Sequence, residues 1–302
     1  MKLKTLALAA LVTLLPLAAC GDDDDSPTVA GSDGDATTTT TAADPDGEVP
    51  QAIVSLSPSS TEILFAIGAG DQVIAVDDQS DYPPEAPTTD LSAYEPNVEA
   101  IASYEPDLVV SSSSDPALLD GLEALGIEVL VHEAAVEITD VYDQITELGD
   151  VTGHADEAQQ LAEEMSGAVA EFTTADRDLT AYWELDPTYY SVTSNTFIGK
   201  LLGLVGITSI ADEAQAEAND YPQLSAEFIL GRDPDLIVLA DTKCCQQSVA
   251  SVAARPGWDH LKAVVNGGVV ELDDDVASRW GPRIVELAEA LQAGIEKVTA
   301  DR

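Results

Sequence analysis

The sequence predicts an α/β protein of two lobes, each built on a parallel sheet, with one long α-helix joining them. Three observations support this fold. Strand-like and helix-like runs alternate along residues 50–302, one helix–proline–strand pattern occurs twice, and a single amphipathic segment separates the two copies. We expect an N-terminal lobe over residues 50–150, the linking helix within 151–176 and a C-terminal lobe over 177–302.

The start of the chain has the pattern of a lipoprotein export signal. Two lysines precede the apolar run 6–15, and small residues lead to Cys20. A short transmembrane anchor is the alternative, but crossing a bilayer takes about 20 apolar residues and this run is shorter. We expect residues 1–19 to be removed as a signal peptide. The Cys20 thiol would then carry lipid with palmitate-like chains, which anchors the protein outside the cytoplasmic membrane.

Residues 20–49 have the composition of a flexible, acidic and threonine-rich tether. They contain the runs Asp22–Asp25 and Thr37–Thr41 and almost nothing apolar, so they cannot bury a core. A flexible chain of this length reaches roughly 30 Å. We expect it to hold the folded body close to the membrane surface.

In the first lobe the apolar pattern predicts three helix-to-strand units. Glu105-Pro106 ends the middle helix, because the residue before a proline disfavours the α conformation, and Gly68 and Gly126 end the other two. The predicted segments are a helix at 61–67 with a strand at 72–76, a helical turn and strand within 98–110, and a helix at 117–125 with a strand at 128–132.

Between the lobes, residues 154–173 carry apolar side chains at the spacing of one helix face, with no proline inside. About 20 residues at 1.5 Å each make a rod near 30 Å long, the diameter of a small domain. A single rigid connection of this kind permits little bending between the lobes.

The second lobe repeats the pattern of the first. Residues 98–110 align with residues 226–238, which lie 128 positions later and contain the acid–proline pair Asp233-Pro234. The predicted segments are a helix at 197–205 with a strand at 208–210, a helical turn and strand within 226–238, a helix at 258–264 and a strand at 269–272.

The chain is strongly acidic, with 12 Lys and Arg against 56 Asp and Glu and a formal net charge of −44. Nucleic acids and anionic membrane surfaces are therefore excluded as partners, while 45% hydrophobic residues indicate a folded protein. No Lys or Arg occurs between Lys4 and Arg177, so the first lobe has no fixed positive charge. Any anionic group of a ligand must then be met from the second lobe, where the candidates are Lys200, Lys243, Arg255, Arg279 and Arg283.

Several motifs resemble the substrate-binding proteins of ABC importers for vitamin B12 and ferric siderophores. They are the opening Ile53–Glu62, the SDYPPEA run at 80–86, both helix–proline–strand repeats and the SRWGPR run at 278–283. The resemblance covers residues 50–300 and implies two lobes that hold a metal-centred ligand in their cleft with little hinge motion. It also implies an ABC permease dimer with its ATPase as partners. We expect a monomer without a cofactor of its own, the cobalt or iron belonging to the ligand.

Glu99 and Glu227 occupy the same position in the two repeats. Each follows a residue suited to N-capping, Asn97 or Ser225, and lies in the first turn of a helix. A carboxylate there is stabilised by the helix dipole by about 0.3–1 kcal/mol and needs no partner. The helix dipole does not explain why a glutamate occurs at this same position in both lobes. The resemblance implies that these two glutamates dock into arginine pockets of the permease subunits.

Aromatic residues make up only 5% of the chain, so their placement is informative. Rings near the ends of predicted strands or helices in α/β lobes are placed to contact a ligand, and the candidates are Tyr82, Tyr94, Phe197, Tyr221 and Trp280. The alternative is that each ring packs within its own lobe. The resemblance places aromatic side chains at the positions of Tyr82, Tyr94 and Tyr221.

The same resemblance implies that Arg279 is the cation best placed to contact the ligand. The alternative is that Arg279 only forms an exposed salt bridge on the protein surface. A strongly anionic ferric catecholate suits such a cleft poorly. We therefore expect a neutral or weakly charged chelate, for which cobalamin and ferric hydroxamates both fit, and heme is a further candidate without an evident axial ligand.

Histidines and cysteines complete the candidate residues. His132, His154 and His260 are scattered, whereas a zinc site needs about three or four converging ligands, so we interpret each as structural and expect no metal site. Cys244-Cys245 follows a predicted strand, and three interpretations stay open: a vicinal disulfide, two free thiols, or a metal or ligand contact.

The sequence therefore favours a lipid-anchored solute receptor that is not an enzyme. An extracytoplasmic hydrolase is the main alternative, since two α/β lobes can host catalysis, but the sequence has no Gly-x-Ser-x-Gly, P-loop or His-Glu-x-x-His motif. The second alternative is a lipoprotein that senses a ligand but takes no part in transport.

Overall fold

The computed structural model describes residues 49–172, 177–214 and 219–300. The predicted signal peptide, Cys20 and nearly all of the predicted tether lie outside these described residues. Within them, no helix is both long enough and apolar enough to cross a membrane.

Strands and helices alternate along the described chain. The strands are β1 Ile53–Leu56, β2 Val73–Asp77, β3 Thr88–Leu91, β4 Leu108–Ser111, β5 Glu128–Val131, β6 Leu179–Glu184, β7 Ile207–Ser209, β8 Leu236–Leu239 and β9 Val269–Glu271. The helices are α1 Pro58–Ala66, α2 Val98–Ala102, α3 Pro116–Glu123, α4 Ile138–Thr152, α5 Ala155–Phe172, α6 Phe197–Leu204, α7 Ala226–Arg232, α8 Val249–Ala253, α9 Lys262–Val265, α10 Asp274–Ser278 and α11 Ile284–Thr299.

The strands form two separate sheets, ordered β3-β2-β1-β4-β5 in the first lobe and β7-β6-β8-β9 in the second. Every strand pairing within these sheets is parallel. The predicted fold class of two α/β lobes with parallel sheets is confirmed.

The internal repeat is visible in the backbone. The units α2–β4 and α7–β8 occupy equivalent positions, and each helix is followed by an acidic residue in the left-handed region before a proline. These residues are Glu105, with φ 52°, and Asp233, with φ 46°. Asp233 is the C-cap of α7, whereas α2 ends at Ala102, and two residues separate it from the Glu105-Pro106 pair. The predicted helix–proline–strand order is present in both units.

Helix α5 carries the chain from the first lobe to the second. Its buried face, Ala158, Ala162 and Met165, packs between α4 of the first lobe and α11 of the second. One hydrophobic core runs through this helix and includes Leu148 of α4 and Leu291 of α11. The lobes therefore share a core along the helix that connects them.

The predicted helix at 258–264 is the clearest difference from the structure. A 3₁₀ turn at Trp258–His260 is separated from α9 by Leu261, which is extended at φ −60° and ψ 141°. Trp258 is almost fully buried and stacks on Tyr189 with ring centroids 5.8 Å apart. Burying this ring breaks the helix that the apolar spacing predicted.

A buried charge cluster joins the carboxyl ends of β6 and β8. Glu184 is fully buried and accepts two hydrogen bonds from Arg255, one of them 2.6 Å long. Asp241, also fully buried, has no hydrogen-bond partner for either carboxylate oxygen among the described residues. Burial, reinforced by the nearby Glu184 carboxylate, raises the pKa of Asp241 from 3.8 to about 7.

This cluster predicts a pH-dependent stability. Between pH 4 and 7 folded Asp241 keeps a proton that the unfolded chain has released, so the free energy of unfolding falls as pH rises through this range. Asp241→Asn, neutral at every pH, should gain at least about 1 kcal/mol relative to wild type between pH 5 and pH 8, measured by urea unfolding. Asp120→Asn, on the exposed face of α3, should show no such gain. Parallel pH profiles for wild type and Asp241→Asn would contradict the assignment.

A second prediction concerns the close approach of α4 and α5. A methyl group added at Gly149 of α4 would overlap the Cβ of Ala158 and lie 3.0 Å from the carbonyl oxygen of His154. Gly149→Ala should therefore cost about 1–3 kcal/mol in urea unfolding. Gly167→Ala in α5 meets nothing within 4 Å and should add about 0.5–1 kcal/mol. Equal urea midpoints of unfolding for Gly149→Ala and Gly167→Ala would contradict this prediction, because α4 and α5 could then move apart at little cost.

Candidate functional site

The carboxyl ends of the two sheets face each other. Ser59, just after β1 of the first lobe, accepts a 3.1 Å hydrogen bond from the backbone N–H of Trp280, which follows β9 and α10 of the second. Nζ of Lys200 in α6 lies 3.2 Å from Oε1 of Glu137, which follows β5. Ligands of open parallel sheets bind outside the carboxyl ends of the strands. The space between these edges, called the cleft below, is therefore the candidate site.

One buried carboxylate and two largely buried guanidiniums, which we call the interlobe ion cluster, connect the lobes beside the cleft. They are Glu62 of α1 and, from the segment between α10 and α11, Arg279 and Arg283. Glu62 Oε1 accepts from Arg279 Nη1 at 3.0 Å, and Glu62 Oε2 accepts from Arg283 Nε at 2.9 Å. The side chains are 1%, 10% and 13% exposed, respectively. Hydrogen bonding to Glu62 raises the pKa of the Arg283 guanidinium, which stays charged.

Arg279 makes further contacts that bear on its predicted role. Its Nη2 donates to Asp81 and Asp275, both at 2.9 Å, and to the carbonyl oxygen of Gln79 at 2.8 Å. The guanidinium is thus surrounded by protein acceptors and is not the exposed surface pair expected as the alternative. Its contact with a ligand remains a prediction.

The remaining candidate cations are also paired with acids. Lys200 contacts Glu137, Lys243 contacts Asp273 and Asp275, Arg255 contacts Glu184, and Arg283 contacts Glu62. Together with Arg279, all five basic residues that the sequence offered to an anionic ligand have carboxylate partners. The cleft therefore presents no uncompensated cation among these five.

Three of the predicted ligand-binding rings are exposed at the carboxyl edges of the sheets. Tyr82 follows β2, Tyr94 follows β3, and Tyr221 lies in the loop between β7 and α7; they are 41%, 86% and 52% exposed. Tyr82 lies against Arg283, whose guanidinium carbon is 4.2 Å from the ring centroid. These rings are available to a ligand between the lobes.

The other two predicted rings are less accessible. Phe197, the first residue of α6, and Trp280 are partly buried and pack against the shared core. The indole N–H of Trp280 is buried and has no hydrogen-bond partner among the described residues. Packing within the protein, the alternative interpretation of these aromatics, accounts for much of both side chains.

Glu99 and Glu227 lie at matching positions on the surface. Each is the second residue of its helix and is exposed. Asn97 Oδ1 accepts from the N–H of Ala100 at 2.9 Å, and Ser225 Oγ accepts from Phe228 at 3.1 Å, so both predicted N-caps are formed. Neither glutamate forms an ion pair within the described residues.

The histidines and cysteines lie apart. His132 is buried with its Nε2 3.2 Å from Glu147, His154 contacts the carbonyl oxygen of Thr152 through Nδ1 at 2.9 Å, and His260 is exposed. Cys244 and Cys245 are paired as a vicinal disulfide in the loop after β8. Across the described parts of the chain, no three or more His, Cys, Asp or Glu side chains are grouped to hold a metal ion.

Sequence patterns did not single out Glu62 as a functional residue, although a signal was present. It is the only charged residue within 51–70, a stretch that otherwise supplies core and small polar side chains. A lone acid in an apolar segment requires a buried counter-ion, and the sequence does not say which cation supplies it.

Comparison with known proteins agrees with this architecture. An uncharacterized ABC transporter substrate-binding lipoprotein of Bacillus subtilis is 31% identical over 306 residues, which cover 95% of each chain. A cobalamin-binding protein of Halobacterium salinarum is 30% identical over 249 residues, 78% of this chain and 67% of that protein.

The fold of a possible iron-binding (periplasmic solute-binding) protein of Staphylococcus epidermidis matches with a TM-score of 0.68. The sequence identity is 26%, over 82% of this chain and 99% of that chain. Residues 53–276 match the family model described as periplasmic binding protein. The matched region extends from β1 into α10 and so includes both sheets. The chain belongs to the periplasmic binding protein family.

Proposed function

We propose that this protein is a lipid-anchored, extracytoplasmic receptor that binds a metal chelate between its lobes and delivers it to an ABC permease. The observation that carries the proposal is the pair of facing carboxyl edges, with Tyr82, Tyr94 and Tyr221 exposed along them. Aromatic rings on both lobes suit a large, partly apolar ligand held between them. Lipid at Cys20, after removal of residues 1–19, would keep this receptor at the membrane.

The charge of the cleft supports a neutral or weakly charged ligand. The interlobe ion cluster and its neighbours Asp81 and Asp275 together hold three carboxylates against two guanidiniums. An anionic ligand would have to displace one of these carboxylates, whereas a neutral or cationic one would not. Cobalamin and a ferric hydroxamate both meet this condition, and the similarity to a cobalamin-binding protein and to a possible iron-binding protein supports the same two classes.

Delivery to a permease is supported by the matched glutamates. Glu99 and Glu227 are exposed carboxylates at the same point of both repeats, and neither has an ion-pair partner in the described chain. Two equivalent acidic contacts suit a permease dimer whose subunits each offer a basic pocket.

The ligand proposal is tested by titrating the protein with cyanocobalamin, a ferric hydroxamate, a ferric catecholate and heme while following Tyr and Trp fluorescence. We expect submicromolar binding of cyanocobalamin or the hydroxamate, and binding at least about tenfold weaker for the two anionic compounds. Tyr82→Ala, Tyr94→Ala and Tyr221→Ala should each weaken binding by about tenfold, because each removes a stacked ring. Tyr104→Ala removes an exposed ring at the opposite edge of the sheet, before β4, and should leave the affinity unchanged. Absence of binding by all four compounds would refute the ligand class.

Docking is tested by replacing Glu99 and Glu227 together with alanine. We expect uptake of the bound chelate into cells to be lost, while the dissociation constant of the chelate in solution stays within about twofold of wild type. The matched control replaces Glu123 of α3 and Glu289 of α11, two exposed glutamates outside the repeat positions, and should transport normally. Unaltered uptake by the Glu99/Glu227 variant would favour a ligand-sensing lipoprotein over a transport receptor.

A further inference from the structure

We propose that Glu62 is a positioning residue: by pairing with Arg279 and Arg283, it sets the separation of the two lobes and the orientation of Tyr82 in the cleft.

The pairing links two rigid parts of the molecule. Glu62 lies in α1, between Thr61 and Ile63, both fully buried in the first lobe. The segment that carries the two arginines is bounded by Ala277 of α10 and Ile284 of α11, which are 2% and 1% exposed. Because both attachment points are held by buried neighbours, a shift of one lobe against the other must break or stretch these hydrogen bonds.

The strength of the pairing comes from its burial. One carboxylate accepts three hydrogen bonds from two guanidiniums while being 1% exposed, so water cannot replace either partner. Lys200 and Glu137 also pair across the lobes, but their side chains are 35% and 62% exposed. An exposed pair of that kind contributes little to holding a geometry. It provides a natural control within the same protein.

Tyr82 depends on the same carboxylate. Arg283 lies over one face of the ring, 4.2 Å from its centroid, while Glu62 accepts hydrogen bonds from Nε and Nη2 of that guanidinium. A guanidinium held at two atoms has a fixed plane, and the ring stacked on it is fixed in turn. Glu62 therefore acts on Tyr82 through Arg283.

The effect on ligand affinity rests on the proposed function, whereas the spacing of the lobes does not. A cleft of fixed width with an oriented ring spares the ligand the entropic cost of ordering them on binding. Loosening the lobes should therefore weaken binding even though Glu62 is buried.

The test compares the full-length protein with Glu62→Gln, which keeps the side-chain size and removes the charge, and with the control Lys200→Gln. Spin labels attached to ketone-bearing residues introduced at Glu123 in α3 and Val265 in α9, both exposed, report the distance between the lobes without thiol chemistry. We expect one narrow distance distribution for wild type and Lys200→Gln, and a broadened or shifted one for Glu62→Gln.

A Glu62→Gln protein that unfolds at a lower temperature but keeps the narrow wild-type distribution would overturn the proposal, because Glu62 would then be needed only for stability. If Glu62→Gln does not fold, Glu62→Gln/Arg283→Gln removes one charge of each sign and leaves Arg279 with Asp81 and Asp275. The same broadening is expected for that double variant, and a narrow distribution in it would equally refute the proposal.

Ligand binding is measured on wild type, Glu62→Gln and Lys262→Gln with cyanocobalamin and a ferric hydroxamate. Lys262 of α9 pairs with Asp233 within the second lobe, outside the cleft. For whichever compound wild type binds, we expect at least about tenfold weaker binding by Glu62→Gln and less than about twofold change for Lys262→Gln. Lack of binding by wild type would reject the ligand class in the proposed function while the distance measurement still decides the role of Glu62. Unchanged affinity together with a broadened distribution would show that lobe spacing does not govern binding.

Discussion

The buried contact between Glu62 and the guanidiniums of Arg279 and Arg283 is the constraint on which the arrangement of the lobes depends. Leaving a buried charge without its partner costs about 3–5 kcal/mol, a large fraction of the stability of a typical domain. The contact brings α1 and the loop after β2 against the segment after α10, and so defines one boundary of the cleft. The core shared along α5 provides a further connection between the lobes.

The two lobes are similar in topology and different in charge. Strands β4 and β8 occupy equivalent positions in their sheets, each preceded by a short helix that carries an exposed glutamate in its first turn. Residues 50–150, however, contain 21 acids and no Lys or Arg, while residues 151–302 contain 26 acids and 10 basic residues. In the described structure, the cations that contact acids of the first lobe, Lys200, Arg279 and Arg283, all belong to the second.

Much of this fold was predictable because it depends on local signals. Gly68 and Gly126, both with positive φ, and the pairs Glu105-Pro106 and Asp233-Pro234 each follow the end of a helix. An apolar period of 3.6 identified α5 to within a residue or two at each end. The helix predicted at 258–264 was wrong because the burial of Trp258 against Tyr189 is a tertiary contact between distant residues. Helix propensity and apolar spacing depend on neighbouring residues only and do not predict such contacts.

The site was predictable only in outline, for the same reason. Tyr82, Tyr94 and Tyr221 lie in loops, as the sequence predicted, and they are exposed at the sheet edges. Their contact with a ligand stays a prediction. The partners of Arg279 and Arg283 in the first lobe, Glu62 and Asp81, lie more than 190 positions away in the sequence. No periodicity or spacing relates residues at that separation. The prediction that these arginines face a ligand could not account for carboxylates brought from the other lobe by folding.

The position of the interlobe ion cluster along the chain bears on how the protein reaches its final state. Glu62 is synthesised early, and the arginines that neutralise it follow only after more than 210 further residues. During synthesis the first lobe is therefore a polyanion in which Glu62 still lacks its counter-ions. The ion pairs of Glu62 can form only once the 279–283 segment has been made, so this part of the first lobe is completed by the second although their sheets are separate.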